Sequence, residues 1–138
     1  MQAAEHWRGR ARTLEAAAML AVARLLVALV PLRRWRSTLG GAPGQQTPED
    51  KTGRARRLAR HVERAAHRLP FEAKCLPQAM ALSWMLRRRR IAHGVVIGVR
   101  QPAAGNSEDT LHAWVEIDRQ GVLGADTGDW QEVLRLGG

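Results

Sequence analysis

Cysteine is almost absent from this chain: Cys75 is the only one in 138 residues. One thiol can close no internal disulfide and cannot build a multi-cysteine zinc site. No HExxH or paired-histidine spacing occurs either, so no metal and no cofactor is expected. With no disulfide to form, a reducing cytoplasm is the simplest compartment. Lysine is nearly missing too, Lys51 and Lys74 being the only two. The positive charge is therefore carried by arginine, with 22 basic against 13 acidic residues and a net charge of +9. Such a balance favours acidic partners, although arginine for lysine with abundant alanine is also what a GC-rich coding sequence produces. Aromatics make up only 4%, too few among the arginines to stack single-stranded bases, which argues against nucleic acid. A long hydrophobic run is missing as well. "LEAAAMLAVARLLVALVPL" is broken by Arg24, so no charge-free stretch approaches the ~20 residues of a membrane span. Its long basic lead, and the lack of a small-x-small cleavage site after it, make it a poor signal peptide. A helix buried in the core or covered by a partner is the reading left.

What remains is enough for one domain with a modest core. No internal repeat is found. Positions 1–46 read as a helical N-terminal part and loop, and 47–138 as the core. A first helix is expected over Thr13 to Val30, stopping at Pro31, and "GGAPGQQ" from Gly40 as a loop. Thr47-Pro48-Glu49-Asp50 reads as a helix start, with Thr47 as cap and Pro48 in the first turn. Leu58, Val62, Ala66 and Leu69 then recur at helical spacing up to Pro70. Another helix must begin close to Cys75, because Pro77 is tolerated only in a first turn. It ends in "RRRR", Arg87 to Arg90, whose cations complement the helix dipole. Next the period changes to that of strands. "GVVIGVR" is rich in β-branched residues. "LHAWVEI" alternates, with Leu111, Ala113, Val115 and Ile117 on one face and His112, Trp114 and Glu116 on the other. "DRQG" turns the chain and "VLGAD" returns. Helices followed by a small antiparallel meander make an α+β domain.

The chemistry centres on Cys75. Thiols react as thiolates, and a helix start, with its unpaired N–H groups, favours that form. Lys74 adds a positive neighbour. A nucleophilic cysteine needs a base and an orienting group. His112, mid-strand, is the best base. His6 lies in a frayed terminus, His61 and His67 are six apart on an arginine-rich helix, and His93 is in a helix-to-strand turn. For the acid, Glu116 shares the face of His112 but sits four residues along, about 13 Å at ~3.3 Å per residue. Asp126 shares that face if the hairpin loop has three residues, lying opposite His112 for Asp118 to Gln120 and diagonal for Arg119 to Gly121. A two-residue loop would turn it to the wrong face. Asp118 is a solvated turn residue, and Asp129 is the fallback if a bulge at Gly124 or Gly128 shifts the register. Asp126 would accept the His112 Nδ1–H and leave Nε2 facing Cys75. By composition alone, a core cysteine and a structural histidine remain open.

A Cys at a helix start, then "HAWVEI" on a strand, then Asp on the next resembles the transglutaminase-like, papain-like cysteine protease core. Within that group, "CLPQAMALSWMLRRRRIAHGVVIGVR…LHAWVEI" resembles the lasso-peptide leader peptidases, the C-terminal domain family of the microcin-processing proteins. "LVPLRRWRSTLG" is similar to that family's N-terminal helical part. The resemblance implies a nucleophile at Cys75, a base at His112 and an orienting acid at Asp126. It implies a cysteine peptidase that removes the leader from a ribosomally made precursor, after which an ATP-dependent cyclase closes the ring. Fused members carry a winged-helix leader-recognition domain. Positions 1–46 are too short and too helical for one, which implies the split form, with a separate small recognition protein presenting the leader. The oxyanion would be held by the Cys75 N–H and, more weakly, by Gln78. Two rivals stand beside this. One is another acyl-transfer enzyme on the same fold, a transglutaminase or amidase. The other is a non-enzymatic basic module for nucleic acid or membrane, which predicts steeply salt-dependent binding.

Overall fold

The computed structural model describes residues 2–40, 49–70, 74–99, 111–124 and 130–137. Asp126, Asp129, Gly128 and the expected cap Thr47 with Pro48 lie outside them. Helix α1 spans Gln2–Leu29, eleven residues earlier than the periodicity suggests. Its opening turns are rich in alanine and arginine, both good helix formers, so helix propensity carries it back past Thr13. His6 is thus helical rather than frayed. Ala16, Leu20 and Ala23 recur at i, i+4 and i+7 and are fully buried. The helix is not covered all round, however: Leu14, Val22, Leu25 and Leu29 are exposed. Pro31 stops it with extended backbone, and a short α2 follows, Leu32–Trp35. Trp35 is buried, and its indole N–H donates to the Val30 carbonyl at 3.0 Å, which folds this turn back on the end of α1.

Helix α3 spans Glu49–Arg68 and α4 spans Cys75–Arg88. On α3, Ala55, Leu58, Ala59, Val62 and Ala65 form the buried stripe. Ala66 and Leu69 pack partly against it. Helix α4 is central, and packs against α1, α3 and the sheet. That position explains its composition, since Ala79 to Ser83, Met85 and Leu86 are all buried. The arginine run does more than complement a dipole. Arg88 and Arg89 reach Glu15 of α1 at 2.8 and 2.7 Å. The hydrogen bond from Arg89 holds the Glu15 carboxyl below its usual range despite partial burial.

Among the described residues four antiparallel strands complete the α+β fold: β1 Gly94–Val99, β2 Leu111–Ile117, β3 Gln120–Leu123 and β4 Gln131–Gly137. Their order is β3-β2-β1-β4. The sheet is therefore not a simple three-stranded meander. After β3 the chain crosses to the far edge, and β4 pairs with β1, Val95 opposite Leu136. Strand β1, between two partners and buried almost throughout, is the apolar run "GVVIGV". Gly40 is held against β4: at φ +77°, any Cβ there would come within 2.3 Å of the Leu136 carbonyl oxygen. No helix among the described residues is long and apolar enough to cross a membrane.

Candidate active site

Cys75 is the first residue of α4, half-buried, with Lys74 as N-cap in extended conformation and no side chain capping the turn. The first turn of a helix leaves its N–H groups without intrahelical partners. Here Pro77 has no N–H, and Gln78 donates its own to the Lys74 carbonyl at 3.2 Å. That leaves Cys75 and Leu76, whose N–H groups meet no acceptor among the described residues. The backbone N–H of Gln78 is therefore committed to the helix, while that of Leu76 stands beside that of Cys75.

His112 is the second residue of β2, at an end of the sheet rather than mid-strand. Strand alternation puts Ala113, Val115 and Ile117 into the core shared with α4, and leaves His112, Trp114 and Glu116 half-buried on the other face. Helix α4 thus packs on the strand that carries His112, through the opposite side of that strand. No hydrogen bond joins Cys75 to His112 among the described residues.

The imidazole is nonetheless tightly held. It stacks on Trp114 with ring centroids 5.8 Å apart and on Trp130 at 5.0 Å, with interplanar angles of 27° and 25°. Gly98, paired with His112 across β1 and β2, makes this stack possible. A Cβ on Gly98 would lie 3.0 Å from the Trp114 ring and 3.2 Å from Trp130 Cβ. Trp114 is fixed in turn, its indole N–H donating to Glu116 at 2.8 Å. Glu116 also accepts from Arg135 at 3.1 Å, and Arg135 is shared with Glu132. These carboxylates, Glu132 foremost, raise the Arg135 pKa. Glu116 therefore serves Trp114 and Arg135.

The ring also bonds through Nε2 to the Gly124 carbonyl. A carbonyl only accepts, so Nε2 donates in this bond. Nε2 is thus turned to Gly124 rather than to the thiol as expected. The hairpin differs as well. Its turn is the two residues Asp118 and Arg119, with φ of 49° and 65°. That geometry alone would put the returning strand out of phase. A bulge restores the phase: Glu116 faces Gly121, but Val115 faces Leu123. Asp118 is exposed in the turn, and Asp126 lies outside the described residues. Trp130 and Gly124 were not legible as neighbours of His112. The first precedes a strand that the alternation pattern missed, and the second contributes backbone alone.

A different histidine pairs with a hydroxyl deep in the core. His93 Nδ1–H donates to the Ile91 carbonyl at 2.8 Å, and Nε2 accepts from Ser83 at 2.6 Å. Ser83 Oγ in turn accepts the Gly40 N–H at 2.9 Å. Both side chains are essentially inaccessible, at 0% and 1% exposure, so this pair ties α4 to the start of the sheet and to Gly40 rather than meeting substrate. Burial lowers the His93 pKa and keeps it neutral.

The comparison with curated proteins returned no match, and neither did the comparison with solved structures. Residues 16–135 match the family model of the transglutaminase-like superfamily. That match spans most of the 138 residues, and the chain belongs to the transglutaminase-like superfamily.

Proposed function

We propose that this chain is a cysteine peptidase that removes the leader from a ribosomally made lasso-peptide precursor, with Cys75 as nucleophile, His112 as base and Asp126 as acid. Membership of a superfamily of cysteine proteases and acyltransferases supports the class. The observation that carries the site is the bracket around His112. Gly124 bonds its Nε2 and Trp130 stacks on its ring, and Asp126 falls between those two residues in the sequence. The resemblance of "CLPQAMALSWMLRRRR" and "HAWVEI" supports the leader-peptidase reading in particular.

In the proposed reaction the Cys75 thiol gives up its proton to the His112 imidazole. The thiolate sulfur bonds to the carbonyl carbon at the leader–core junction. The oxyanion is met by the N–H groups of Cys75 and Leu76, donors already fixed by the helix. Collapse breaks the C–N bond, and the core's amine leaves with the proton from His112. Water, deprotonated by His112, then attacks the thioester and frees the leader's carboxylate and the thiol. Asp126 stabilises the imidazolium between these steps. A separate small recognition protein presents the leader, and an ATP-dependent cyclase takes the core. The exposed Val22, Leu25 and Leu29 of α1 support such docking. In the test, precursor is incubated with the chain alone and with the recognition protein, and products are followed by mass spectrometry. Two peptides, formed faster in the mixture because the junction is held at raised effective concentration, are expected. Crosslinked or amine-transferred products would instead show a transglutaminase, and equal rates would remove the recognition partner.

A further inference from the structure

Helices α1 and α3 part near the start of α1 and leave a cleft of about 560 Å³. Arg64 and Arg68 stand one turn apart on the α3 wall, and Arg10 faces them from α1. At the base, Thr13 and His61 share a 3.0 Å hydrogen bond. Leu14 forms an apolar rim and is 70% exposed. One carboxylate, Glu5, lines the same cleft, so three guanidiniums face a single acid. Among the described residues, Arg10, Arg64 and Arg68 make no ion pair. The crowding extends beyond the cleft. Burial and then the neighbouring Arg54, Arg89, Arg57 and Arg8 lower the Arg12 pKa. The His61 imidazole is held low by burial and by Arg12, Arg64 and Arg60, so it adds no cation at neutral pH. Like charges that outnumber the acids beside them oppose folding, and an anionic ligand relieves that repulsion.

We propose that this cleft is a binding site for an acidic peptide segment, whose carboxylates are taken by Arg64, Arg68 and Arg10 while an apolar neighbour rests on Leu14. Guanidinium forks match carboxylates two bonds at a time. Residues four apart on a helix lie about 5–6 Å from one another, close to the ~6.6 Å between same-side residues of an extended peptide. Nucleic acid fits less well. None of the cleft-lining residues is an aromatic other than histidine, so bases find no stacking platform, and the space admits a few side chains rather than a duplex. The site needs neither Cys75 nor His112, so it stands independently of the peptidase proposal.

The probe is a fluorescein-labelled eight-residue peptide alternating Glu and Leu, titrated with the full chain and read by anisotropy at low and at moderate salt. Binding that weakens with salt, and that falls at least about tenfold in R64Q/R68Q through loss of two charge-assisted bonds, is the expected result. Arg10→Gln, on the other helix, should weaken it too, which keeps the test valid if the double variant folds poorly. Circular dichroism and melting of each variant separate loss of the site from loss of the fold. Absence of binding, equal binding of the Gln/Leu peptide, undiminished affinity in both variants, or tighter binding of an eight-residue oligothymidylate would each overturn the proposal.

Discussion

Replacing Ser83 by alanine removes a single oxygen that serves two buried partners. The Gly40 N–H loses its acceptor and His93 Nε2 loses its donor. Neither can turn to water, since Ser83 and His93 are sealed in the core. A buried polar group left unpaired costs about 1–3 kcal/mol, so two such groups put the loss near about 3–4 kcal/mol. That is a large share of the ~5–15 kcal/mol a domain has in total. Equilibrium unfolding in urea, followed by tryptophan fluorescence, reads the change directly. With a slope of about 1–3 kcal/mol/M, the midpoint should fall by roughly 1–4 M. The same pair makes stability depend on pH. Burial keeps the folded-state pKa of His93 below the ordinary imidazole value of about 6.5. Below that pH the unfolded chain takes up a proton that the folded chain resists. Stability is thus fully present above about 6.5 and falls as the pH drops toward the folded pKa. His61, also held low, adds to the same slope, and His61→Gln separates its share. A Ser83→Ala midpoint within 0.3 M of wild type (roughly half a kcal/mol at such slopes), or stability that stays flat from pH 7 to 5, would refute the reasoning.

Asp126→Asn should keep the fold and lose activity, on a scale up to ~10⁴-fold as for the equivalent change in a serine triad, while Asp118→Asn in the exposed turn should cost little. Cleavage rates of the two variants decide it, and a dead Asp129→Asn beside an active Asp126→Asn would move the acid to Asp129. Gly98→Ala inserts a methyl 3.0 Å from the Trp114 ring. The displaced stack should lower cleavage on the order of tenfold while the overpacking costs only about 1–3 kcal/mol, a split that kinetics and melting together would show. An active, unshifted Gly98→Ala would mean that the Trp114 stack does not position His112.

How much of this could be read from the residues varied with how local the cause was. Pro77 fixed the start of α4 at Cys75 because proline fits only a first turn. The alternation of "LHAWVEI" gave β2 and the face of His112, because strand period is a property of neighbouring residues. Strand β4 was missed. As an edge strand it has one partner, its residues Gln131 to Val133 are exposed, and "QEVLRLG" shows no clean two-residue period. The bulge between Val115 and Glu116 was missed for a related reason. It is a relation between two strands, and no residue of "GVL" announces it. The early start of α1 was hidden by reading its polar turns as a tail. The orientation of His112 Nε2 rests on a backbone carbonyl at Gly124, and a carbonyl leaves no mark on residue type. The Ser83 and His93 pair spans ten residues and joins two elements, so it is visible only once α4 and β1 are packed.

The central claim is that Cys75 forms a covalent bond with the substrate. It is tested most directly by the intact mass of the protein during turnover of the precursor with the recognition protein present. A transient increase equal to the leader acyl group, located at Cys75 by fragmentation, is expected. Cys75→Ala should show neither that adduct nor any cleavage, while melting as wild type does. Turnover by purified Cys75→Ala at the wild-type rate would contradict the account.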